Sequence, residues 1–127
     1  MRDTELQINL SNLSHNLNIL KENTTSEIQG VLKAFSYGLE INEVVEVIDE
    51  HVSCYSVMSI DEAILVRNKS SKPILLLQGV YDLDEYKEVL KYDLDFVIHS
   101  DWQLKNLEEG LKNCLLYTSD AADEKRC

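Results

Sequence analysis

The sequence predicts an α/β fold built around a parallel sheet, and three observations carry that expectation. Strand-like apolar runs recur about every 20–25 residues, with a helical pattern between each pair. Parallel strands need crossovers of that length, and helices supply them. The third run, Pro73 to Gln78, is almost wholly apolar, as expected of a strand covered on both faces.

Taken in order, Gln7 to Leu10 alternates as a short strand, and Ser11 is a plausible N-cap for a helix carrying Leu13, Leu17 and Leu20 on one face. Four βα units follow. Ile28 to Phe35 reads as a strand, and Ile41, Val44, Val45 and Ile48 mark a helix. Val52 to Met58 is the second strand, and Ser59 to Glu62 has capping-box form ahead of Ala63, Ile64 and Val66. Pro73 to Gln78 is the third, followed by a helix capped by Asp82 and carrying Leu83, Tyr86, Val89 and Leu90. Leu94 to His99 is the fourth, and Ser100 to Gln103 forms a second possible capping box before Leu104, Leu107 and Leu111. This order fits either an open doubly wound sheet or a (β/α)8 barrel. The dinucleotide-binding version of the open sheet is disfavoured, because no G-x-G-x-x-G follows any strand. If the fold is a barrel, four units are half of it.

Bulk properties narrow the function. A chain of 127 residues with 44% hydrophobic content can bury a real core. It has no apolar run near the roughly 18 residues that span a membrane, and no apolar stretch of signal-peptide type at its start. A cytoplasmic protein is expected. The net charge of −11 argues against nucleic acid or an anionic membrane as partner. Cys54, Cys114 and Cys127 show no C-x-x-C spacing, in keeping with a reducing compartment, and Cys54 reads as a buried inert thiol. The three histidines show no metal-ligand spacing.

The segment from Cys114 to Cys127 fits neither period. Its first eleven residues, CLLYTSDAADE, match the translation of an adaptor used in transposon-based sequencing libraries. Residues 114–127 are therefore expected to be a non-native tail, and 1–113 to be part of a longer domain.

Lys33 is the leading chemical candidate. It lies near the end of the first strand, ahead of Ala34-Phe35-Ser36-Tyr37-Gly38. Ligands in parallel α/β folds bind at the carboxyl ends of strands. A lysine held there among apolar walls tends toward a lowered pKa and a nucleophilic amine, as a Schiff base to a carbonyl compound requires. The Tyr37 phenol could hydrogen-bond a phosphate. Position alone leaves open a lysine that reaches solvent or pairs with an acid. His15 and Arg67 read as helix-surface residues, and His51 as a helix-end cation. His99 stands at the functional rim, and Trp102 reads as a helix anchor.

The surroundings of Lys33 carry a resemblance. VLKAFSYG resembles the V-x-K-A-N-A-Y-G cofactor-lysine motif of the alanine racemase family. INLSNLSHNLNIL is similar to the family's opening I-D-L-x-A-L-x-H-N-L, and YSVMSIDEAILVRN to its A-V-A-x-x-E-E-A-x-x-L-R block. KPILLLQGVYDLDEYKEVLKYDLDFVIHSDWQLKNLE resembles a longer run of the same domain. Together these span residues 6–112. The resemblance implies the first half of a (β/α)8 TIM-type barrel, about four βα units preceded by a short strand and helix. It implies pyridoxal 5′-phosphate as cofactor, attached to Lys33, with Tyr37 on the phosphate. Lys33 would also be one of two bases that interconvert L- and D-alanine in a homodimer, supplying D-alanine for the cell wall. The second base would be a tyrosine from the partner's C-terminal domain, outside this chain. Phe35 and Ser36 depart from the family's Asn and Ala, and Leu39-Glu40 from its His-Gly. The alternative is a single-domain barrel that binds pyridoxal 5′-phosphate for homeostasis without racemising. Half a barrel would leave strand edges and an apolar sheet face uncovered, so the isolated chain is expected to be inactive and marginally folded or aggregated.

Overall fold

Four short parallel strands pair in chain order in the computed structural model, which describes residues 6–120. They are β1 (Gln29–Val31), β2 (Cys54–Val57), β3 (Ile74–Leu76) and β4 (Asp95–Phe96). Gly30 lies beside Tyr55, Tyr55 beside Ile74, and Leu76 beside Phe96. Helix α1 (Leu10–Asn23) precedes β1, and a left-handed turn, α2 (Lys33–Gly38), follows it. The connections then carry α3 (Ile41–Ile48), α4 (Ile60–Arg67) and α5 (Leu83–Tyr92), and α6 (Asp101–Asp120) follows β4.

Side chains alternate across a strand, so the sheet has two unlike faces. Tyr55, Val57, Ile74 and Leu76 lie on the face covered by helices and are essentially inaccessible. They pack with Val44, Val45 and Ile48 of α3, Ala63 and Val66 of α4, and Tyr86 and Val89 of α5. Each such aliphatic side chain contributes about 1.5–3 kcal/mol by leaving water. Gln29, Val31, Cys54, Ser56, Leu75 and Asp95 share the other face by register. That face was expected to be apolar. It is mixed instead, with the Gln29 amide donating to the Ser56 hydroxyl. Cys54 is half-buried there rather than enclosed.

Most elements fall where the apolar periods place them, the later strands shorter than expected (β4 is Asp95–Phe96 within Leu94–His99), and three features at the start of the chain differ. No strand forms at Gln7–Leu10: residues 7–9 take no regular structure and Leu10 opens α1. The cap of α1 is Asn9, whose side chain accepts from the Asn12 N–H, and not Ser11. The first strand stops at Val31 and does not run to Phe35, because Ala34 to Tyr37 all have positive φ. The α4 and α5 caps stand as expected: Ser59 and Glu62 complete a capping box, and Asp82 accepts from Asp84 and Glu85. The Ser100–Gln103 box does not form. Gln103 turns inward, accepts from the His99 N–H at 2.7 Å and donates to the carbonyls of Gln78 and Val80. It thereby stitches the loops after β3 and β4 together. Gly79 (φ +78) lies against this stitch, where any side chain would strike the Val97 carbonyl.

Helix α6 continues through 114–120, inside the segment expected to be foreign. Once nucleated, a helix gains one hydrogen bond per added residue, so a poor apolar period does not stop it. Residues 121–127, with Cys127, lie outside the described residues.

Candidate functional site

The carboxyl ends of the strands gather the sequence-predicted residues. Lys33 follows β1 by two residues and is half-buried, and Tyr37 is 74% exposed four residues later. Between them the backbone takes a course that L-residues avoid. Ala34, Phe35, Ser36 and Tyr37 have φ of 53°, 48°, 53° and 57°, and Gly38 has φ 92°. Each non-glycine residue in this region costs roughly 1–2 kcal/mol, and only Gly38 takes it freely. Such strain persists only where the surroundings over-determine it.

Hydrogen bonds tie the turn to its flanks and to α4. The Ser36 N–H donates to the Leu32 carbonyl at 3.2 Å, and the Leu39 N–H to the Ser36 carbonyl at 3.3 Å. A third reaches another element: the Phe35 N–H donates to Glu62 Oε1 at 2.9 Å. Glu62 Oε2 accepts from Met58 at 2.8 Å and from Ser59 at 3.2 Å. This carboxylate, 3% exposed, thus joins the start of α4 to the turn after Lys33. Sequence reading found Glu62 only as a capping residue. Its link to Phe35 spans 27 positions and leaves no local signature.

The departures from the family motif have physical consequences here. Ser36 is buried and its hydroxyl has no hydrogen-bond partner among the described residues. Phe35 is 53% exposed in a left-handed conformation that Asn tolerates far better.

Of the histidines, His99 reaches the rim, its Nε2 2.7 Å from the Leu77 carbonyl. His15 is exposed. His51 is buried beneath α1, with Nε2 3.4 Å from the Ser14 hydroxyl and 3.2 Å from Glu50 Oε1. Trp102 is 46% exposed and stacks on Tyr81 at 5.6 Å, so it lies against the surface rather than anchoring the core. Arg67 is no surface cation. It bonds four backbone carbonyls at the opposite end of the sheet: Tyr92, Ser70, Lys72 and Asp93. No group of three or more His, Cys, Asp or Glu suited to a metal occurs among the described residues.

The donor set therefore consists of an amine that can bond covalently to a carbonyl, a phenol able to donate to an anion, and open space beside Gly38. These features fit an aldehyde cofactor bearing a phosphate. Fold and site together define the first half of a parallel βα-barrel domain with a half-buried lysine at the end of the first strand.

Comparison with known proteins makes this specific. The sequence profile described as "Alanine racemase, N-terminal domain" matches residues 8–118, and the chain belongs to that family. It is 36% identical over 108 residues to the alanine racemase of Neisseria meningitidis serogroup B, covering 84% of this chain and 31% of that protein. It is 31% identical over 111 residues to the alanine racemase of Pseudomonas syringae, covering 87% and 31%. Among solved structures, the biosynthetic alanine racemase of Pseudomonas aeruginosa superimposes with a TM-score of 0.73 at 30% identity, covering 80% of this chain and 29% of that one. The alanine racemase of Clostridium difficile 630 in complex with cycloserine gives 0.72 at 29% identity, covering 84% and 30%. The chain thus spans about a third of the length of the curated relatives it matches. Those structures are barrel enzymes, and the four-stranded parallel sheet corresponds to the first half of such a barrel.

Proposed function

We propose that residues 1–113 are the opening part of the cofactor-binding barrel of a pyridoxal 5′-phosphate-dependent alanine racemase, with Lys33 as the cofactor lysine. One observation carries the reading: a half-buried amine at the carboxyl end of β1 is joined by a fixed left-handed turn to an exposed phenol. When bound, the cofactor supplies an electron sink that acidifies the α-carbon of an amino acid.

This chain's residues have definite tasks. Lys33 Nζ would hold the cofactor and would also serve as the base that takes or returns the proton on one face of the α-carbon. The Tyr37 hydroxyl donates to the phosphate, and Gly38 leaves space for it. Inversion needs a base on each face. The second base belongs to the remainder of the protein, as does most of the contact with alanine. A homodimer in the cytoplasm, supplying D-alanine for the cell wall, completes the proposal. No helix among the described residues is long and apolar enough to cross a membrane. The tail 114–127 is proposed to be non-native. The matched relatives and structures are named racemases and do not favour a carrier that binds the cofactor without racemising.

The full-length protein incubated with pyridoxal 5′-phosphate should show the visible absorption band of a lysine-bound cofactor and should racemise alanine. Lys33→Ala should lose both the band and at least about 10³-fold in activity. A wild-type protein with no such band, or one unchanged by Lys33→Ala, overturns the proposal.

A further inference from the structure

We infer that Glu62 is a positioning residue for the cofactor site, holding Lys33 and Tyr37 at their working separation through the Phe35 amide. The inference rests on the reading of Lys33 and Tyr37 given above. It concerns how the chain keeps them in register.

An ordinary capping-box glutamate returns to the N-cap N–H and stays in solvent. Glu62 does more. It is almost wholly buried and uses both oxygens: Oε2 for Met58 and Ser59, Oε1 for Phe35. Burying a carboxylate costs heavily unless donors surround it, and the cap needs only the Ser59 N–H. The bond to Phe35 is therefore surplus to helix capping and falls in the middle of the strained turn. Ala34 to Tyr37 all oppose their own backbone conformation, and the Phe35–Glu62 bond ties that turn to a second element. Without an external hold, those four residues would relax toward negative φ. A change at 34–37 swings Tyr37 away from Lys33, so the amine and the phenol would no longer face one cofactor.

Glu62→Gln separates the two roles. An amide offers one acceptor oxygen where the carboxylate offers two. Two donors hold that oxygen at the α4 cap, which turns the amide NH2 toward the Phe35 N–H. Ser59→Ala is the complementary control: it removes the cap hydroxyl and leaves the Phe35 acceptor in place.

The measurements are amide hydrogen exchange at Phe35, the dissociation constant for pyridoxal 5′-phosphate read from the Lys33-dependent band, and the thermal midpoint, all in the full-length protein. In Glu62→Gln, Phe35 exchange should quicken and the dissociation constant should rise, each roughly tenfold or more, as loss of a charge-assisted hydrogen bond implies. Ser59→Ala should lower the thermal midpoint with neither effect. Adding glycine at 34 and 35 to Glu62→Gln should recover part of the affinity, because glycine takes positive φ without strain. Equal loss of affinity in both single variants, in proportion to their thermal midpoints, overturns the inference. So does a Phe35 amide that exchanges freely in the wild type. The two readings fail separately. A band present in the wild type and unweakened in Glu62→Gln removes the role of Glu62 and leaves Lys33 its cofactor. No band in the wild type, with Phe35 exchange still governed by Glu62, removes the cofactor and leaves only an anchored turn.

Discussion

At the amino-terminal end of the sheet Arg67 donates to four backbone carbonyls, while at the carboxyl-terminal end Ser36 buries a hydroxyl with no partner among the described residues. The contrast extends beyond those two side chains. Near Arg67, Lys72 reaches the carbonyls of Asp49 and Val52, and the Tyr55 hydroxyl donates to Asp49 at 2.9 Å. Helix C-termini leave carbonyls unsatisfied, and these cations close them off. Near Lys33 the backbone is strained over four residues and Phe35 and Tyr37 stand in solvent. One end of the sheet is thus largely satisfied, His51 Nδ1 excepted among the described residues, and the other stores strain at the end where parallel barrels generally bind ligands.

Breaking the satisfied end should have the largest effect. Arg67→Ala leaves the α5 terminus and the loop before β3 without their donors. Charge-assisted bonds contribute about 1.5–3 kcal/mol each and do not sum, so a loss of about 3 kcal/mol is expected in denaturant unfolding. Cofactor affinity per folded molecule should stay unchanged, since nothing near Lys33 is touched. A shift in affinity with intact stability would erase the division between the two ends.

Sharpening the strained end should act in the opposite direction. Ser36→Ala removes the orphaned hydroxyl and should stabilise by about 1 kcal/mol. Phe35→Asn should add up to about 1 kcal/mol, because Asn accepts the left-handed region and little buried apolar area is lost. Both changes restore residues of the family motif. Thermal midpoints that fall in both variants would mean that the turn carries no relievable strain.

What the sequence discloses divides along similar lines. The βα order, the Ser59–Glu62 box and the Asp82 cap are legible because their partners lie within four residues. The end of β1 is not. Val-Leu-Lys-Ala-Phe reads as a continuing strand, and the positive φ values that end it occur beside a carboxylate 27 positions away that no local pattern marks. Arg67 reads as a surface residue for a related reason: its partners are backbone carbonyls, which every residue carries and no pattern marks. Gln103 has capping-box spacing, yet its amide satisfies two loops that only tertiary structure brings together. Lys33 and Tyr37 stand out in the sequence through their motif, whereas the left-handed turn between them does not.

The satisfied end also sets a pH response. Burial is the main cause raising the Tyr55 phenol above its ordinary value of 10.0, and the Asp49 carboxylate beside it adds to the effect. Burial alone would raise Asp49 too. The Ser70 and Tyr55 hydroxyls and the Lys72 charge outweigh it and hold the carboxyl below 3.8. The signs are opposite. Folded Tyr55 keeps its proton where the unfolded phenol loses it, so its contribution is full below pH 10 and declines as pH rises from there toward its folded value. Asp49 contributes above pH 3.8 and loses that contribution as pH falls through its lowered folded value. A group of this kind costs about 0.4 kcal/mol when the solution pH equals its unfolded pKa. Wild type should therefore lose about 0.4 kcal/mol more than Tyr55→Phe between pH 8 and pH 10 in denaturant unfolding. Tyr55→Phe itself sits lower at both pH values, because Asp49 loses a donor. An equal alkaline slope in the two proteins would mean that the phenol ionises alike in the folded and unfolded chain, and that the amino-terminal end is less closed to water than the Arg67 lattice of carbonyl bonds implies.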